Sequence, residues 1–210
     1  MAITKTYING DITTLYNWLV ANGSNFFTNF VNNTTYVSCY VGNFEFMKIG
    51  VQMGLEDTDG VTIYTNGGNS IHIAGYSNQW PLVWAYKTST SLVFLPIERS
   101  SENGLFSIIV TKDNNNDVSA VIVNSFEPNL SADNTIYAVS INSELIDTTI
   151  LRPNTGKYTS SFCPLIVSGA TSRYLPNVFY MPFAQYNVEG NFLIDDVVYL
   201  CNGLIAVKDE

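Results

Sequence analysis

From Thr34 to the end, the chain is written in short runs of Val, Ile, Tyr, Phe and Thr, interrupted by clusters of Gly, Asn, Asp and Pro. β-Branched and aromatic residues fit a pleated, half-buried surface, and breakers at such intervals are the mark of β-sandwiches and barrels. Candidate strands fall at 36–41, 44–51, 61–64, 70–74, 82–87, 91–97, 105–111, 118–124, 136–141, 145–151, 162–167, 178–180, 192–195, 197–201 and 204–208. Ahead of them, Asp11 is placed to cap a helix on which Ile12, Leu15, Trp18 and Leu19 share one apolar face, with Asn22-Gly23 as the stop. Residues 24–31 have the composition for one more helical turn before Asn32-Asn33. The expected fold is mainly β: an antiparallel β-sandwich or barrel-like body with a short N-terminal amphipathic helix. Its domains are residues 1–33 as a helical segment or arm and 34–210 as an antiparallel β domain, with strands enough for two packed sheets.

Two connections are better specified than the rest. Asp113-Asn114-Asn115-Asn116-Asp117 lies between apolar runs, and Asn and Asp tolerate the left-handed backbone of a hairpin tip. Asn202-Gly203 predicts a two-residue type I′ turn closing a C-terminal hairpin. Gly67-Gly68 reads as a turn, because neither the Lys-Ser/Thr of a phosphate-binding loop nor a following helix accompanies it.

Charge narrows the function classes. Nine basic residues against eighteen acidic ones give a net charge of −9, and so few scattered cations cannot supply the counterion release that phosphate binding requires. No direct nucleic-acid partner is expected. No apolar run approaches the roughly 20 residues of a membrane-spanning helix, and Met1 to Thr6 lack the apolar stretch of a signal peptide, so neither a membrane nor general secretion is expected. Cys39, Cys163 and Cys201 are widely spaced and read as buried thiols.

Catalytic and metal chemistry find little foothold. His72 alternates with Ile71 and Ile73, which places it on the more polar face of a strand. Glu56-Asp57-Thr58-Asp59-Gly60 and Asp113–Asp117 are oxygen-rich, yet in the second Val118 stands where a calcium loop needs glycine and Asn124 where it needs a bidentate acid; solvated turns account for both. Asp195-Asp196, read as adjacent strand residues, point to opposite faces. No catalytic residue, metal ligand or cofactor is assigned, and the chain is not expected to be an enzyme.

Aromatics are the remaining signal. They make up 13% of the residues, equal to the charged share, and Tyr is enriched at protein interfaces where Lys and Glu are depleted. Tyr76, Trp80, Trp84 and Tyr86 form one cluster suited to anchoring an interface or stacking on sugars. Tyr174, Phe179, Tyr180, Phe183 and Tyr186 form a second around Pro176 and Pro182, where proline argues against a central strand and for a loop that either contacts a partner or covers the core.

Taken together, the polar opening, the amphipathic helix, the Asn/Thr-rich β body and the close Val198-Tyr199-Leu200-Cys201-Asn202-Gly203-Leu204-Ile205-Ala206-Val207-Lys208-Asp209 resemble virion structural proteins of tailed bacteriophages. The resemblance implies a β-rich head, connector or tail component, assembled in many copies in the bacterial cytoplasm. Its partners would be copies of itself and other virion proteins, with no cofactor. The alternative carried by the aromatic clusters is a carbohydrate-binding β-sandwich module.

Overall fold

The computed structural model describes residues 4–9, 11–51, 59–68, 70–73, 82–96, 105–112, 116–125, 135–141, 143–146, 163–167, 173–180, 190–194, 196–201 and 205–208. In chain order the elements are β1 (Thr4–Asn9), α1 (Ile12–Asn22), β2 (Asn29–Asn32), β3 (Tyr36–Val41), β4 (Phe44–Val51), β5 (Asp59–Tyr64), β6 (Ser70–Ile73), β7 (Leu82–Lys87) and β8 (Leu92–Pro96). They continue with β9 (Leu105–Lys112), β10 (Val118–Ser125), β11 (Thr135–Ser140), β12 (Ser143–Ile146), β13 (Cys163–Val167), β14 (Arg173–Tyr180), β15 (Gly190–Ile194), β16 (Val197–Cys201) and β17 (Ile205–Lys208).

The strands form three open sheets, and every described pairing is antiparallel. A seven-stranded sheet has the order β1-β7-β8-β9-β10-β11-β12, an N-terminal five-stranded sheet runs β2-β3-β4-β5-β6, and a C-terminal five-stranded sheet runs β13-β14-β17-β16-β15. The expected mainly β, antiparallel fold with one short helix is therefore present, and none of the sheets closes into a barrel.

The helix forms where its sequence directs. Asp11 accepts hydrogen bonds from the Thr13 N–H at 2.9 Å and the Thr14 hydroxyl at 2.6 Å, tying down the first turn. Those bonds, Thr14's hydroxyl foremost, hold the Asp11 carboxyl below its ordinary value of 3.8. A group depressed in this way stabilises the fold above its unfolded value, and the contribution is lost as pH falls through the folded value. At the other end, the Gly23 N–H donates to the Leu19 carbonyl at 2.7 Å, and the buried Asn22 amide donates to the Trp18 carbonyl at 2.9 Å.

Leu15, Trp18 and Leu19 form one core with both N-terminal sheets. Their neighbours in it include Val37, Phe46, Met47 and Ile63 from the five-stranded sheet and Ala85, Phe94, Ile108 and Val110 from the seven-stranded one. Trp18 meets Phe94 edge-on at 5.7 Å. Burying each such side chain contributes about 1.5–3 kcal/mol, so the helix is held by this core more than by its own propensity. The Asn66 N–H donates to the Ile141 carbonyl at 3.0 Å and the Ile141 N–H to the Val118 carbonyl at 3.1 Å, stitching the β5–β6 loop to the seven-stranded sheet.

A bulge explains how β4 feeds this core. Cys39 pairs with Met47 but Tyr40 pairs with Glu45, leaving Phe46 as the extra residue. Phe46 and Met47, adjacent in sequence, are consequently both fully buried in the core.

At its centre, among the described residues, the seven-stranded sheet is buried on both faces. Ala85, Phe94, Ile108, Val110 and Ala120 turn to the shared core. Tyr86, Val93, Leu95, Ile109 and Val121, at the alternate positions, are buried on the other face.

The structure corrects the sequence reading at several points. Residues 24–31 are not wholly helical: the Phe26 and Phe27 N–H groups both donate to the Gly23 carbonyl, closing one turn, and Phe30 and Val31 then enter β2. Asp59 and Gly60 of the acidic loop are in β5, paired with Val51 and Gly50. Asp196, read as a strand residue, is in a turn at φ 61°, where Ile194 already pairs with Val197; Asp195 lies outside the described residues. The C-terminal hairpin exists, but Cys201 pairs with Ala206 and not with Leu204. Four residues therefore separate the last pair, two more than a tight Asn-Gly turn would; the even shift keeps every side chain on its expected face. Asn202, Gly203 and Leu204 lie outside the described residues.

Pro176 does not break β14, an interior strand between β13 and β17. The β13–β14 register shifts between the Pro164↔Phe179 and Ile166↔Tyr174 pairs, so Pro176 falls at an irregularity where no ladder N–H is required. Residues 147–151 of the strand expected at 145–151 lie outside the described residues; Leu145 and Ile146 are in β12.

Turn chemistry otherwise follows composition. Gly42, at φ 62°, opens the two-residue Gly42-Asn43 connection between paired Val41 and Phe44, as a type II′ hairpin requires. Asn116 takes φ 65° in the 113–117 tip. Thr34 does so too, at φ 65° in the β2–β3 turn, where a β-branched side chain is a genuine outlier. Thr34→Asn is expected to raise stability by about 1 kcal/mol by relieving left-handed strain, read as a higher urea midpoint at unchanged slope.

Candidate interaction surfaces

The two aromatic clusters expected from the sequence are treated differently by the fold. Tyr76, Trp80, Phe183 and Tyr186 lie outside the described residues. Tyr174, Phe179 and Tyr180 are backbone members of β14, with Tyr180 paired to both Cys163 and Ile205. The candidate strand at 178–180 is therefore present and begins earlier, at Arg173, so the expectation of a loop is corrected for Tyr174.

Trp84 and Tyr86 occupy alternate positions of β7 and stack at 6.2 Å with an interplanar angle of 25°. Tyr86 is buried and belongs to the interior, whereas Trp84 is half-buried. The residue that completes the surface patch is Tyr7, paired with Trp84 across β1 and β7. Its ring lies 5.1 Å from Trp84, tilted by 56°, and is 39% exposed. Tyr7 therefore sits on the outermost described strand of the seven-stranded sheet, with Trp84 beneath and beside it. The sequence reading missed it because Thr4-Lys5-Thr6-Tyr7-Ile8-Asn9 carries a single large inward residue, Ile8, too little alternation to announce a strand.

A second surface emerges on the face of the five-stranded N-terminal sheet that turns away from the core. Val37 and Cys39 point inward, so Tyr36, Ser38 and Tyr40 alternate outward along β3. Val31 and Lys48 stand opposite Ser38, and Thr62 and His72 continue the row by register. The Lys48 ammonium lies 4.4 Å from the centre of the Tyr36 ring, a cation–π geometry. Because of the bulge, Glu45 shares this face with Lys48 although they are three residues apart.

Ser38 is the anomaly of that face. Tyr36, Tyr40, Lys48 and Val31 around it are half-buried, yet Ser38 is fully buried and its hydroxyl makes no hydrogen bond. A buried hydroxyl without a partner costs about 1–3 kcal/mol. The Trp18 indole N–H, inside the shared core, and the Thr90 and Ser91 hydroxyls, at the β7–β8 turn, are likewise unpartnered.

Among the described residues no three His, Cys, Asp or Glu side chains gather as a metal site would require. Cys39 is a buried free thiol; burial, and secondarily the Glu45 carboxylate, push its pKa well up, so it is an inert packing group. Among the described residues no helix is long and apolar enough to cross a membrane. Comparison of the chain with protein-family models, with curated proteins and with solved structures returns no match.

Proposed function

We propose that this chain is a non-enzymatic structural subunit of a multi-copy protein assembly, a component of a bacteriophage virion built in the bacterial cytoplasm. Its partners are copies of itself and other virion proteins. The observation that carries the reading is Tyr7, a solvent-reaching aromatic on the outer strand β1 of the seven-stranded sheet, set against Trp84 on the neighbouring β7. Aromatic anchors of this kind dominate binding energy at interfaces, and an edge strand offers main-chain hydrogen bonds to a partner. The low share of charged residues, 13%, supports the same reading, because interface centres are depleted in charge. The resemblance of the ends and composition to tailed-phage virion proteins is what names the type of particle.

The test is to place a charge on the anchor. Tyr7→Asp is expected to weaken self-association at least tenfold in analytical ultracentrifugation, the effect of losing a hot-spot aromatic. Asn17→Ala, on the exposed side of the helix, is expected to leave it unchanged. Equal behaviour of the two variants would contradict this surface as the interface.

A further inference from the structure

Two Asn-Gly pairs lie wholly within the described residues, and the fold treats them in opposite ways. Asn22-Gly23 ends α1 inside the structure. Both residues are buried, the Asn22 amide donates to the Trp18 carbonyl at 2.9 Å, and the Gly23 N–H donates to the Leu19 carbonyl at 2.7 Å. Asn66-Gly67 instead forms the centre of the turn between β5 and β6. The Gly68 N–H closes that turn on the Thr65 carbonyl at 3.0 Å, and Asn66 and Gly67 are both exposed. Among the described residues the Gly67 N–H meets no hydrogen-bond acceptor.

We infer that Asn66 is a site of spontaneous deamidation, with solvent water as the co-reactant. The Gly67 nitrogen gives up its proton to hydroxide and attacks the Asn66 Cγ. A C–N bond forms and ammonia leaves with a proton taken from water, giving a cyclic imide. Glycine permits the approach because it has no Cβ in the way, and exposure lets the central peptide of the turn rotate without disturbing packed side chains. Water then opens the imide. Breaking its bond from nitrogen to Cγ yields aspartate; breaking the bond to the main-chain carbonyl carbon yields isoaspartate, whose backbone runs through Cβ and Cγ. At Asn22 the same attack is blocked, since its side-chain amide and the Gly23 N–H are both committed within the helix end.

Position gives the modification a consequence. The Asn66 N–H donates to the Ile141 carbonyl at 3.0 Å and so ties this turn to the seven-stranded sheet. Isoaspartate lengthens the backbone of the turn by one carbon and adds a negative charge to a chain already at −9, loosening that tie. The inference is independent of the multi-copy reading, because every group involved belongs to one chain.

The experiment ages the full chain in mildly acidic and mildly alkaline buffer and locates the products by peptide mass spectrometry. The expected result is exchange of NH2 for OH at Asn66, faster in the alkaline sample, with isoaspartate confirmed by isoaspartyl methyltransferase labelling. Asn22 is expected to stay intact in the folded protein and to react once the chain is unfolded in urea. Gly67→Ala is expected to suppress the reaction at Asn66. In hydrogen exchange, the isoaspartyl form is expected to lose protection at the amides of residues 66 and 68, whereas Asn66→Asp, which carries the charge without the extra carbon, keeps it. An unreacted Asn66, or equal rates at Asn66 and Asn22 in the folded chain, would overturn the site. Unchanged protection in the isoaspartyl form would overturn the loosening.

Discussion

Phe46→Ala is expected to destabilise the protein by about 3–5 kcal/mol, the range for emptying the space of a buried phenylalanine, a large part of the 5–15 kcal/mol that domains typically possess. Its burial is the reason. Phe46 follows the alternation set by inward Phe44 and outward Glu45, and the bulge turns Met47 inward beside it. The Phe46 ring is fully buried, 6.4 Å from Phe27. Phe44→Ala is the comparison, because Phe44 only packs partly buried against the same core and is expected to lose clearly less. Urea unfolding of both variants decides the matter, and equal losses would contradict the deeper burial of Phe46.

Gly23→Ala is expected to cost about 1–3 kcal/mol, the usual price of overpacking a tight site. The cause is not backbone freedom, since Gly23 has φ −89°, which any residue adopts. It is space: an added Cβ would lie 2.7 Å from the Leu19 carbonyl oxygen and 2.8 Å from the Phe30 ring. The ring has room to yield but the carbonyl is the helix backbone. In a double-mutant cycle, Phe30→Leu should therefore recover only part of the loss, and full recovery would contradict the clash with Leu19.

Where local pattern decides structure, the sequence was legible. The expected strands at 36–41, 44–51, 82–87 and 197–201 coincide with β3, β4, β7 and β16, because each is an apolar run between strong breakers. The helix was equally plain, from the Asp11 cap through Leu15, Trp18 and Leu19 to Gly23. What local pattern could not show was pairing. Pro176 argued against an interior strand because the irregularity that accommodates it belongs to two strands jointly, β13 and β14. Asn202-Gly203 argued for a tight turn, but β17 also pairs with β14 through Val178↔Val207 and Tyr180↔Ile205, contacts that a turn signal does not contain.

The surfaces follow the same division. Trp84 was visible as an aromatic in a strand, but its partner Tyr7 is separated from it by the whole of α1 and β2 to β6. The spacing of Tyr36, Ser38 and Tyr40 at alternate positions was open to view in the sequence. Their grouping with Lys48 and Glu45 was not, because two residues three apart share a face of a strand only when a bulge lies between them, and only the register reveals one.

The proposal that this chain works in many copies is tested by the native mass of the purified protein, measured by light scattering. Measured across a concentration series and at two salt concentrations, the protein is predicted to form a discrete oligomer that persists at the higher salt, as an interface anchored by Tyr7 and Trp84 requires. A strictly monomeric mass at every concentration and both salts would contradict it.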